Sequence, residues 1–180
     1  AQEGQVWYNS SSQVLKGFGM QGTGAWASGG ACNTGRKAGA GAGITTAAIV
    51  TGGSTDPPTT GTEISATESY NGTAWTETGH ALNTGRRYMA NFGVATAAVV
   101  ACGAANTPGD DIAKTETYNG STWTEVADVN TTRRDVMGAF GGTTTAGLIY
   151  GGYAPSISAV TEKWDGTSWT TVGSLQSPTV

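Results

Sequence analysis

Apolar residues along this chain come in three short runs that share one wording. Ala47-Ala48-Ile49-Val50-Thr51, Ala97-Ala98-Val99-Val100-Ala101 and Ala146-Gly147-Leu148-Ile149-Tyr150 are each closed by a glycine pair or, once, by Cys102-Gly103. Runs of this length with no polar alternate predict strands buried on both faces. A variable loop of Gly, Pro, Ser, Thr and Asp follows each run. After it comes an alternating stretch: Thr67-Glu68-Ser69-Tyr70, Thr115-Glu116-Thr117-Tyr118 and Thr161-Glu162-Lys163-Trp164. Alternation with a period of two predicts a half-buried strand. Asn71-Gly72, Asn119-Gly120 and Asp165-Gly166 come next, and a further strand opens at Trp75, Trp123 and Trp169. With the small-residue strand that precedes each apolar run, one unit holds four strands.

Asn-Gly and Asp-Gly between such stretches predict two-residue type I′ turns. That geometry pairs Tyr70 with Thr73 and Glu68 with Trp75, so one face of the hairpin carries all four, and the same register is expected in the other copies. Trp26, Trp75, Trp123 and Trp169 stand 49, 48 and 46 residues apart, a spacing that marks repeat architectures. The copy that ends at Trp26 is worn, with a degenerate entry from Gln21. No window shows a helical stripe bounded by caps, because glycine interrupts every candidate. With 29 glycines and 12% charged residues, the composition also points to an all-β chain of short strands and turns.

Polar positions recur as strictly as apolar ones. Asn33-Thr34-Gly35-Arg36-Lys37, Asn83-Thr84-Gly85-Arg86-Arg87 and Asn130-Thr131-Thr132-Arg133-Arg134 hold six of the nine basic residues. Arg36, Arg86 and Arg133 fall beside the apolar runs, and Glu68, Glu116 and Glu162 recur with them. A buried arginine is costly unless a carboxylate satisfies it, so an Arg–Glu pair is expected within or between units. Trp75, Trp123 and Trp169 are expected as core anchors, each contributing roughly 2 to 3 kcal/mol by area burial. The glycine pairs are expected to let a backbone pass beneath an indole.

The order of an arginine, an apolar strand closed by Gly-Gly, a loop, a strand ending in Tyr or Trp, a turn and a Trp resembles the kelch repeat. The resemblance recurs three times over residues 26–180. It implies a kelch-type β-propeller of four-stranded blades, three complete and one partial, with blades near 27–75, 76–123 and 124–169 in a propeller domain over 21–180. Residues 1–20 are expected to form a β-hairpin: Gly4-Gln5-Val6-Trp7-Tyr8-Asn9-Ser10-Ser11 to Leu15-Lys16 resembles a hairpin of bacteriophage tail and fibre proteins. Together these resemblances imply a virion component, non-enzymatic, whose partners are other virion proteins and whose ligand is a host-surface glycan or protein. A purely structural assembly protein of the virion, or the propeller part of a secreted carbohydrate-active protein, are the alternatives.

A closed propeller needs four to eight blades. A second chain, a polypeptide that continues past Val180, or the N-terminal hairpin are the ways to supply them. Closure by oligomerisation or by a longer chain is favoured here. The chain opens at Ala1 without a methionine, which predicts a processed product or an excerpt.

Chemistry is sparse. His80 stands alone between Gly79 and Ala81 and is expected in a solvated turn, which leaves no catalytic pair and no copper set. Neither cofactor nor metal is expected. Asp110, Asp111 and Asp56 lie in variable loops and read as turn residues, with a cation site as the lesser reading. The run 35–43 lacks the Lys-Ser/Thr ending of a phosphate loop. A net charge of −4 argues against nucleic acid. No apolar run approaches the roughly 20 residues of a membrane-spanning helix, and no membrane insertion is expected. Cys32 and Cys102 occupy different places in the repeat, and two free thiols are favoured over a disulfide. The contact loops are expected at 54–62, 104–113 and 153–160, with Tyr153, Asp110 and Asp111 as the candidate ligand-binding side chains.

Overall fold

The computed structural model describes residues 6–9, 14–17, 28–55, 62–105, 110–138 and 142–179. At the start, β1 (Val6–Asn9) pairs antiparallel with β2 (Val14–Gly17). Three four-stranded antiparallel sheets follow, each laid down in chain order. Sheet I holds β3 (Ala40–Ile44), β4 (Ala47–Thr51), β5 (Ala66–Tyr70) and β6 (Trp75–Ala81). Sheet II holds β7 (Ala90–Val94), β8 (Ala97–Ala101), β9 (Thr115–Tyr118) and β10 (Trp123–Val126). Sheet III is formed by β11 (Met137–Gly138) and β12 (Gly147–Tyr150), then β15 (Thr161–Trp164) and β16 (Trp169–Val172). A small hairpin, β13 (Tyr153–Ala154) and β14 (Ser156–Ile157), interrupts it between β12 and β15. The worn copy at Trp26 lies outside the described residues.

The middle sheet explains the unbroken apolar runs. Along β8, Val99 and Ala101 face a cluster shared with Ile149, Trp164 and Trp169 of sheet III. Its alternate residues Ala98 and Val100 face a second cluster with Ala40, Ile49 and Leu82. A strand buried on both faces has no side left for a polar alternate. Val99 is 0% and Val100 is 1% exposed, so β8 is covered on each side.

The first strands of the three sheets lie beside one another, β3 against β7 and β7 against β11. Their small residues permit that approach. A Cβ added at Gly138 would lie 2.2 Å from the carbonyl oxygen of Asn91 on β7, a contact with backbone that cannot swing aside. Gly138→Ala is therefore expected to push sheet III away from sheet II and cost about 1–3 kcal/mol, as overpacked sites do. Urea denaturation checks it, and a stability equal to wild type would show that the inner strands do not meet there.

Two local expectations are corrected by the structure. The Asn-Gly hairpins pair Tyr70 with Trp75 and Glu68 with Glu77, not Tyr70 with Thr73 and Glu68 with Trp75. Asn71 is the cause. Its Oδ1 accepts from the backbone N–H groups of Thr73 and Ala74 at 2.9 and 3.0 Å, which draws four residues into the turn. Asn119 and Asp165 do the same in their copies, so Tyr118 faces Trp123 and Trp164 faces Trp169. A shift of two residues preserves parity, and Trp75 stays on the face of Glu68 and Tyr70. The glycine pairs, for their part, admit backbone and not an indole. Gly52 has φ +61°, and a Cβ there would lie 2.8 Å from the carbonyl oxygen of Arg86.

Trp123 and Trp169 are 7% and 6% exposed and sit in the two clusters. Trp75, expected beside them as a core anchor, is half-buried and in neither cluster. The physical reason is position: among the described residues no sheet lies ahead of sheet I to cover it.

Candidate functional site

In each sheet a glutamate on the third strand gathers the segment that leads into the first strand. Glu68 Oε2 accepts from the backbone N–H and the amide of Asn33 at 2.7 and 3.2 Å, and Oε1 accepts from Thr34 N–H at 3.1 Å and Arg36 Nη2 at 2.5 Å. Glu116 takes the same donors of Asn83 at 2.8 Å each, with Arg86 Nη1 at 2.6 Å. Glu162 takes those of Asn130 at 2.7 and 2.9 Å and Thr131 N–H at 3.2 Å, and it forms an ion pair, without a hydrogen bond, with Arg133 Nη2 at 3.2 Å. Each asparagine amide also donates to the carbonyl of the unit's tryptophan: Trp75, Trp123 or Trp169. All three carboxylates are 0% exposed. These three pairs, Arg36–Glu68, Arg86–Glu116 and Arg133–Glu162, each lie within one unit. The role of Asn33, Asn83 and Asn130 was not foreseen, although their fixed place three residues ahead of each arginine carried the signal.

Burial acts to raise the pKa of Glu68, but the donors of Asn33, Arg36 and Thr34 outweigh it and hold the carboxyl below its ordinary value of 4.5. A depressed folded-state pKa means that this stabilisation is complete above the ordinary pKa and is lost as pH falls through the folded one. Sheet I is therefore expected to loosen as pH falls below the ordinary carboxyl pKa and through the lower folded-state one. Amide exchange of Asn33 and Thr34, followed as pH falls, checks it, and Glu68→Gln should flatten the dependence.

These clasps sit at one end of the sheets, together with the variable loops. A second set of contacts there crosses between sheets. Arg87 pairs with Glu63 of the loop after β4, and Arg134 Nη1 pairs with Asp111 of the loop after β8 at 2.7 Å. The Arg134 guanidinium also lies over the ring of Tyr153, 4.5 Å from its centre. Two of the three candidate ligand-binding residues, Asp111 and Tyr153, thus meet through Arg134. The third, Asp110, is exposed, and its carbonyl accepts from Ala105 N–H. Asp56 and the tips 56–61 and 106–109 lie outside the described residues. Ala38, Tyr88 and Asp135 hold left-handed backbone with φ between 54° and 59°. They form a backbone ladder from sheet to sheet: Tyr88 N–H donates to Ala38 O at 3.0 Å and Asp135 N–H to Tyr88 O at 3.1 Å.

His80 is not in a turn but on β6, where Nδ1 shares a hydrogen bond of 2.6 Å with the Tyr118 hydroxyl of sheet II. Both cysteines are free. Burial pushes the Cys102 thiol up to about 12, so it stays protonated and unreactive at neutral pH. Iodoacetamide is expected to alkylate Cys32 in the folded chain and Cys102 only after denaturation, as peptide mapping would show. Among the described residues no three His, Cys, Asp or Glu side chains gather as a metal-binding group. An open cleft of about 750 Å³ lies along β3, β4 and β7, lined by Cys32, Ala42, Ile49, Trp75, Phe92 and Val94 among others. No helix of the described residues is long and apolar enough to cross a membrane.

The chain matches no protein-family model, and no curated protein matches it.

Proposed function

We propose that the three sheets are blades of a kelch-like β-propeller serving as a non-enzymatic recognition module of a virion tail or fibre. Its ligand in this reading is a glycan or protein of a host surface, bound at the clasp end. The observation that carries it is a division of labour. The frame repeats the same clasp and hairpin register three times, while the loops 52–65, 102–114 and 151–160 above it share neither length nor sequence. Variable loops held on a rigid repeated frame suit binding. The buried titratable groups support a non-catalytic role, since the glutamates are committed to clasps and the Cys102 thiol is held protonated.

An array of bacterial surface polysaccharides probed with the purified chain tests this. Binding without hydrolysis is expected, weakened by Asp110→Ala and Tyr153→Ala at the clasp end and untouched by Thr96→Ala at the opposite end. Cleavage of a bound glycan, or binding that survives both loop changes and fails with Thr96→Ala, would overturn it.

A further inference from the structure

We propose that two copies of this chain close one ring, the Trp75 face of each docking on the Thr161 face of the other. This rests on the propeller reading above, and two sets of three sheets would make six blades. The existing junctions are the template. Between sheets I and II the Trp123 indole N–H donates to the Thr67 hydroxyl at 2.9 Å, and between II and III that of Trp169 donates to the Thr115 hydroxyl at 2.9 Å. The third hydroxyl of this series, Thr161 Oγ1, is on a residue 5% exposed and has no partner among the described residues. A buried hydroxyl without a partner is costly and asks for a donor. At the other end of the stack the third indole, Trp75, is half-buried, and its N–H finds no acceptor among the described residues.

The inner ladder is open at the same two ends. Ala38 N–H has no partner, and the Asp135 carbonyl accepts no backbone N–H, among the described residues. The apolar surfaces correspond too. Leu148 of β12 occupies the place that Ile49 and Val99 hold when they face a following sheet, and it is only half-buried. The cleft beside Trp75 offers it a space. The two end faces differ from each other, so the contact is head-to-tail, and two copies close it by using each face once.

One segment of the chain already lies along the path of a following sheet's entry. Leu175 N–H donates to Ala159 O as Leu82 does to Ser65 and Val129 to Ala113. Gly152 N–H donates to Thr179 O as Gly53 does to Arg86 and Gly103 to Arg133. In the ring, residues 32–36 of the second copy take this path and exchange those bonds for equivalent ones. Residues 175–179 compete with the second copy.

Sedimentation equilibrium of the 180-residue chain tests the proposal, and a dimer of twice 18.1 kDa is expected. Thr161→Val removes a hydroxyl that is unpartnered in the single chain, so it should leave the thermal stability of the dissociated chain unchanged or raised while weakening the dimer about tenfold. Removing residues 174–180 should tighten the dimer. A chain that stays monomeric to its solubility limit, a stoichiometry other than two, or a dimer indifferent to Thr161→Val overturns the proposal. Thr67→Val and Thr115→Val separate the two failures. If they destabilise the single chain while no dimer forms, the stacked blades stand and only the closure falls; if they cost nothing, the propeller reading falls as well.

Discussion

Glu116→Ala is expected to cost about 3–5 kcal/mol of folding stability, the scale found when one partner of a buried ion pair is removed. The side chains of Arg86 and Glu116 are both 0% exposed, and Nη1 sits 2.6 Å from the carboxylate. Without that carboxylate the guanidinium keeps its burial and loses its counter-charge, while Asn83 loses the acceptor for two of its donors. Glu116→Gln should fall between, because an amide still accepts from Asn83 but presents N–H groups toward a cation. The double change Arg86→Met with Glu116→Leu should cost far less than Glu116→Ala alone, since replacing a whole buried pair by apolar groups is often close to neutral. Guanidinium denaturation of wild type, Arg86→Met, Glu116→Leu and the double change forms the cycle that isolates the coupling. A loss of less than about 1 kcal/mol in Glu116→Ala would mean that water reaches Arg86 and that the clasp is not closed.

The clasp also shows what one sequence discloses. Arg86 and Glu116 could be paired on paper because both recur at fixed spacing and because a buried arginine needs an anion. Asn83 carried the same periodic signal, but asparagine suggests turn chemistry first, and its amide was not assigned to the carboxylate. Turn chemistry misled in the hairpins as well. Asn-Gly favours a two-residue turn by backbone geometry, yet the Asn71 side chain bonds two N–H groups ahead and lengthens the loop. The four-stranded sheets and their order were legible, since alternation and glycine punctuation are local. Contacts between sheets were not. Thr67 meets Trp123 across 56 residues of sequence, and nothing in either neighbourhood names the other. The burial of Trp75 was overestimated for the same reason: its equivalents are covered by a preceding sheet, and sheet I has none among the described residues.

That difference between equivalent residues makes the second large prediction. Trp123→Ala should cost about 3–5 kcal/mol, as large-to-small changes at buried aromatic positions do. Trp123 stacks on Tyr118 with ring centres 4.8 Å apart, and it shares its cluster with Ile49 of the neighbouring sheet and with Leu82, just past the end of β6. Trp123→Phe keeps most of that packing and should lose about 1 kcal/mol with the indole N–H, which leaves the Thr67 hydroxyl with Thr51 alone. Trp75 has the same sequence surroundings and a similar stack on Tyr70, 5.1 Å between centres, but among the described residues no neighbouring sheet lies beneath it. In the dissociated chain Trp75→Ala should therefore cost well under half of what Trp123→Ala does. Thermal and urea denaturation at concentrations low enough to keep the chain single measure both. Equal losses would show that each indole is stabilised within its own hairpin, and that the junction between sheets I and II contributes little. An unequal pair, with the difference removed on self-association, would place the larger part of the tryptophan's contribution in the contact between sheets.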